Sequence, residues 1–161
     1  MPSFTIQPMD EASARAIIRW HYDAPYDLYN VPPDEADAST SYWTDPQNGC
    51  YRITNEFGEL VGYCSFGLDG QVPGGDYRQE ALDIGMGVRP DLTGQGQGVH
   101  FAQAVLDFAA HAFAHPQFRV TIAAFNKRAQ RVWQKLKFHP IQQFTRERDG
   151  LSFIVFVREK G

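Results

Sequence analysis

The residues Val88-Arg89-Pro90-Asp91-Leu92-Thr93-Gly94-Gln95-Gly96-Gln97-Gly98 carry the most legible chemistry of this chain. Three alternating glycines precede a segment, Val99 to Phe108, whose apolar residues recur at helical spacing. An apolar run from Ala81 to Val88 comes first and reads as a strand. Strand, glycine turn and helix in that order build an anion site. Glycine lets backbone come close to a ligand, and the first free N–H groups of the helix point at it from the positive end of the dipole. A ligand carrying phosphates is expected. A Walker loop needs Gly-Lys-Ser/Thr, but Val99 and His100 follow Gly98. A dinucleotide fingerprint starting at Gly94 needs glycine or alanine at Val99, and no register fits. A lone Gly-x-Gly would only tighten a turn; three alternating glycines at a helix start point to a cradle.

A second segment, Asn126-Lys127-Arg128-Ala129-Gln130-Arg131-Val132-Trp133-Gln134-Lys135-Leu136-Lys137-Phe138, follows a short apolar run. Asn126 is a good N-cap, and Ala129, Val132, Trp133 and Leu136 share one helical face. Together, strand-Val-x-Pro-x-x-x-Gly-x-Gly-x-Gly-helix and this helix resemble the acyl-CoA loop and the Asn-x-x-Ala-x-x-x-Tyr-x-x-Leu-Gly-Phe helix of the GNAT superfamily of N-acetyltransferases. The resemblance is strong over roughly residues 81 to 145 and rests on element order elsewhere.

The resemblance implies a mixed α+β GNAT fold. Its central, mostly antiparallel twisted sheet would splay at the acyl-CoA site, with helices on both faces. It implies acetyl-CoA as cosubstrate and an amine acceptor, with the acetyl group moved by direct attack. Backbone of Met86, Gly87 and Val88 would meet the pantetheine arm. Thr93, Gly94, Gln95, Gly96, Gln97, Gly98 and Val99 would hold the pyrophosphate, with Asn126 beside them. The N–H near Val88 would face the thioester oxygen, a contribution of about 3 kcal/mol from a well-placed donor.

The chain departs from the family pattern at several positions. Trp133 stands where many members have a tyrosine acid, and an indole N–H cannot release a proton usefully. Thr93 replaces a usual Gln or Arg, and Lys137 replaces a glycine, which costs strain if that position is left-handed. The strand before Asn126 offers no carboxylate. Asp83 is the leading candidate for an indirect base, ahead of Glu80 and His139. His111 and His115 lie one helical turn apart without a third ligand in register, so no metal site is expected. Tyr22, Tyr26 and Tyr29 lie in an aromatic cluster after the first helix, where the family walls its acceptor pocket. Their rings beside aspartates suit a cation.

The elements that must position these residues read as follows. Asp10 caps a helix to Trp20, and Pro32-Pro33 open an acidic one to about Trp43. Cys50–Thr54 and Leu60–Phe66 form a hairpin, and Gln97 to Ala114 a long helix stopped before Pro116. Phe138–Thr145 and Leu151–Val157 form a last hairpin over the two-residue turn signal Asp149-Gly150. A single domain over residues 1–161 is expected.

Residues 1–50 hold eight acids against Arg15 and Arg19, while no acid lies between Asp107 and Glu147. That polarity suits an anionic cofactor and a cationic amine. A net charge of −4 and a pI of about 5.7 make nucleic acid a poor partner. No apolar stretch is long enough to span a bilayer, and Met1 to Phe4 lacks a basic leader. Cys50 and Cys64 are expected as free thiols of a cytoplasmic protein. Dimers are common in the family, but no motif here predicts a homodimer. The competing reading is a non-catalytic acyl-CoA-binding or sensor module of the same fold.

Overall fold

Seven segments of alternating or continuously apolar residues pair into one sheet. In chain order they are β1 (Thr5–Pro8), β2 (Cys50–Thr54), β3 (Leu60–Phe66), β4 (Leu82–Val88), β5 (Gln117–Ala123), β6 (His139–Thr145) and β7 (Ser152–Glu159). This computed structural model describes residues 3–159; Met1 and Pro2, on which the leader reading partly rests, lie outside the described residues. The spatial order is β1-β2-β3-β4-β5-β7-β6, antiparallel throughout except for the central β4–β5 pair.

Four helices, α1 (Glu11–Ile18), α2 (Ala36–Thr44), α3 (Gly98–Ala112) and α4 (Lys127–Lys135), cover both faces of the sheet. α1 starts where Asp10 accepts from the Ser13 N–H at 2.7 Å, and α4 where Asn126 accepts from the Ala129 N–H at 3.1 Å. α3 has no side-chain cap at its start. Phe101 and Val105 of α3 and Trp133 of α4 are buried against Ile53, Cys64, Ile84, Val120 and Phe156. Burying each large apolar side chain of this set contributes roughly 1.5–3 kcal/mol. On the opposite face, Ala14 and Ile17 of α1 pack with Met9, and Trp43 stacks on Tyr63 at 5.3 Å.

The β2–β3 register sets Cys50 opposite Ser65 and Cys64 opposite Tyr51, so the two thiols point to opposite faces and remain free. Burial pushes both upward, Cys50 to about 12.

The last hairpin differs from its expected form. The strands meet it within a residue of their expected bounds, but Asp149-Gly150 sits inside a connection of residues 146–151 rather than forming a two-residue turn. Arg146 N–H donates to the Leu151 carbonyl and Gly150 N–H to the Arg146 carbonyl, both at 2.8 Å. The physical reason is local: the Asp149 carboxylate is taken by the Arg146 guanidinium at 2.7 and 3.1 Å, which closes the loop further out.

Lys137, after α4, has φ 75° and is the one non-glycine with positive φ among the described residues. A side chain there costs about 1–2 kcal/mol, partly offset by the entropy glycine would lose. Lys137→Gly should therefore stabilise by about 1 kcal/mol and raise the melting temperature by about 2–4 °C. An unchanged or lowered thermal midpoint would contradict this account of the position.

Candidate active site

The central parallel pair is short. β4 and β5 are joined only at Leu82–Phe118 and Asp83–Arg119, and beyond that rung each strand follows its other neighbour. β4 stays on β3 as far as Val88–Gly62, and β5 stays on β7 as far as Ala123–Phe153. A gap therefore opens between the C-terminal ends of β4 and β5.

The hydrogen-bond phase of β4 decides which groups face that gap. Arg89 N–H donates to the Val61 carbonyl at 2.9 Å, and Gly67 N–H to the Asp83 carbonyl at 2.9 Å. In an antiparallel ladder this turns the backbone of residues 83, 85, 87 and 89 toward β3 and that of 84, 86 and 88 away from it. The N–H and C=O groups of Met86 and Val88 thus point into the gap, with no rung of β5 opposite them. Gly87, by contrast, spends its backbone on Tyr63. Its missing side chain matters on the sheet face: a Cβ there would lie 2.2 Å from the Tyr63 ring.

Beyond Val88 the chain makes a 3₁₀ turn, Pro90–Leu92, held by the Arg89–Asp91 ion pair at 2.7 Å. The side chains of the glycine loop are used internally. Thr93 Oγ1 donates to the Pro90 carbonyl and the Gln95 amide to the Asp91 carbonyl, each at 2.7 Å. Gly94 and Gly96 adopt φ 73° and 76°, which side chains resist. Gln97, Gly98 and Val99 lead into the uncapped start of α3, so backbone rather than side chains is left for a ligand. Gly98 lets α4 approach, since a Cβ would lie 2.7 Å from Val132 Cγ2. These features fit a phosphate-bearing group: a bare backbone turn, a helix start without a cap, and room that side chains would fill.

The three predicted tyrosines close around the ends of the parted strands. Tyr22 Oη donates to the Val88 carbonyl at 2.7 Å, and burial pushes its hydroxyl up to about 12. Tyr29 Oη accepts from the Asn126 side-chain amide at 3.2 Å, and its ring meets that of Tyr22 edge-on at 6.4 Å. Tyr26 packs on Phe125 at 5.8 Å, with the Arg128 guanidinium 4.4 Å above its ring. One short segment thus touches both β4 and the β5–α4 junction.

Asp83 is not with them. It lies at the opposite end of β4, with its side chain 4% exposed, and both carboxylate oxygens accept from Arg119 at 2.7 and 2.8 Å. Gln71 donates to it as well, at 2.9 Å. Five residues of strand, about 16 Å, separate it from Val88. The base role expected for Asp83 is therefore withdrawn; it clamps the last β4–β5 rung. Trp133 is likewise absent from the gap, packed edge-on against Phe138 at 5.1 Å inside the core. Sequence reasoning missed Tyr63, whose ring fills the space over Gly87, and Arg128, which it placed on the Asn126 helix without a role. The signal for Tyr63 was a glycine on the adjacent strand facing an aromatic; Arg128 had none short of knowing which helix abuts the loop.

Comparison with known proteins places this architecture. An aminoglycoside acetyltransferase, AAC(6')-Ib, solved with coenzyme A, superimposes with a TM-score of 0.77 at 18% identity, covering 98% of this chain and 95% of that one. A spermidine N-acetyltransferase chimera from Vibrio cholerae gives 0.73 at 12% identity over 97% and 95%. A GNAT-family acetyltransferase from Bacillus anthracis gives 0.74 at 14% over 97% and 94%. At such identities the likeness is one of fold. No curated protein matches the chain in sequence. Residues 3–139 match the acetyltransferase (GNAT) domain family. The chain belongs to that family, and its fold is the mixed α/β GNAT fold expected from the glycine loop.

Replacing Asp83 separates the two roles considered for it. Asp83→Asn leaves Arg119 buried without its countercharge and should cost about 3–5 kcal/mol in urea unfolding. A variant of native stability that loses only turnover would restore the base assignment.

Proposed function

We propose that this chain is a cytoplasmic, acetyl-CoA-dependent N-acetyltransferase acting as one domain, in which an amine attacks the thioester directly. The observation carrying the proposal is the parting of β4 and β5, which leaves the Met86 and Val88 N–H groups aimed into the gap with no strand partner among the described residues. An extended amide-bearing arm can lie there as an added strand. The bare backbone of Gly94, Gly96, Gly98 and Val99 at the α3 start suits the diphosphate beyond it. The solved relative with coenzyme A supports the same cosubstrate.

In this reading acetyl-CoA supplies an activated acyl group, and the chain supplies placement. The Val88 N–H donates to the thioester oxygen as it gains negative charge. Tyr22 holds the Val88 carbonyl and so fixes the orientation of that peptide. Tyr22 does not serve as the proton donor. Its hydroxyl proton is committed to the Val88 carbonyl and burial holds it there, so the thiolate departs with its own charge and the proton of the attacking amine passes to water. Tyr22 and Tyr29, with the acidic N-terminal third, favour a cationic amine as acceptor. The relatives named for spermidine and aminoglycosides agree with that class.

A non-catalytic acyl-CoA-binding module is the second reading. It draws on the Arg119–Asp83 ion pair, which takes that carboxylate out of proton transfer, and on Trp133, which lies in the core where many members carry a tyrosine acid.

Calorimetric titration tests the proposal. Acetyl-CoA should bind saturably in the micromolar range while ATP and NADH do not. Equal binding of all three, or none, would contradict it. Amine-dependent thiol release would then separate the enzyme from the binding module.

A further inference from the structure

Arg128 differs from Arg89, the arginine that opens the glycine loop, and from Arg119 and Arg146 further away. Arg89, Arg119 and Arg146 each hold a carboxylate. Among the described residues Arg128 makes no ion pair, although it is only partly exposed. A guanidinium has five donors in a planar fork suited to phosphate, and those of Arg128 stay open to an anion.

Its position says which ligand. The Arg128 Nη1 atom lies 3.0 Å from the point a Cβ would occupy on Gly94, the first left-handed glycine of the loop. On its other side the guanidinium rests 4.4 Å over the Tyr26 ring. Tyr26 is itself held by Phe125, at 5.8 Å, one residue before the α4 cap Asn126. Stacking of this kind immobilises the fork before any anion arrives and lowers the entropy lost when it binds.

Resting on the acetyl-CoA reading above, we propose that Arg128 is a side-chain ligand for the diphosphate of acyl-CoA and that Tyr26 is its positioning residue. Tyr26 then serves the nucleotide end of the cosubstrate rather than the acceptor wall. Tyr22 and Tyr29 alone remain at the acceptor side. The glycine loop supplies backbone donors without charge, and Arg128 supplies a cation beside Gly94.

Binding of acetyl-CoA, of its 3'-dephospho form and of S-acetylpantetheine, which has no phosphate, tests this. The variants are Arg128→Ala, Arg128→Lys, Tyr26→Leu and the double variant, each first shown to keep the wild-type melting temperature. Arg128→Ala should weaken both nucleotide-bearing thioesters about 10–100-fold and leave S-acetylpantetheine unchanged. Arg128→Lys should recover only part of the loss, because a point charge lacks the fork. Tyr26→Leu should weaken acetyl-CoA several-fold, and the double variant should bind no worse than Arg128→Ala alone.

Equal loss for all three ligands, no loss at all, or fully additive effects of the two substitutions would overturn the proposal. So would a loss that disappears with the dephospho form, which would place Arg128 on the 3'-phosphate. Wild-type protein that binds no acetyl-CoA would instead overturn the functional reading on which it rests.

Discussion

The architecture depends on where one parallel strand pair stops. Two rungs, Leu82–Phe118 and Asp83–Arg119, join the halves of the sheet, and the buried ion pair between Asp83 and Arg119 lies on the last of them. Past that point each half twists with its own antiparallel partner, β4 with β3 and β5 with β7. Backbone groups left unpaired inside a protein are costly, so such an opening persists where solvent, a side chain or a ligand completes it. Here Tyr22 completes one of them, the Val88 carbonyl. The N–H groups of Met86 and Val88 face the opening beside it, where the proposed reading seats an extended ligand.

Around this opening the other elements act as supports. Tyr63, stacked on Trp43, lies against the Gly87 backbone and braces β4 from the α1–α2 side. On the other side, Gly98 allows α3 to approach Val132 of α4, so the loop and the second helix pack as neighbours. The segment from Tyr22 to Tyr29 joins the two halves again at their open ends, through Val88 on one and Phe125 and Asn126 on the other. A clamp at the base and a clip at the mouth fix the position of the cleft.

Much of this was legible in the chain itself. The alternating glycines, the strand before them and the Asn126 cap announced their structures because each relies on local chemistry: positive φ, free helix donors and a side-chain oxygen three residues from its N–H. What depends on partners distant in sequence was not legible. Asp83 reads as a reactive carboxylate until Arg119 is brought beside it across a parallel rung. The Asp149-Gly150 signal reads as a tight turn until Arg146 claims the carboxylate. That the α4 start sets Arg128 over the Tyr26 ring was likewise not to be read from the chain. Lys137 is the reverse case, since its left-handed backbone follows from the helix end alone.

The central claim concerns individual backbone donors, and amide hydrogen exchange followed by NMR reads them one at a time. On adding acetyl-CoA, the Met86 and Val88 amides should become protected by at least tenfold. The Gly87 amide, committed to β3, should change little. Uniform protection along β4, or no change at Met86 and Val88 despite saturating acetyl-CoA, would contradict the account.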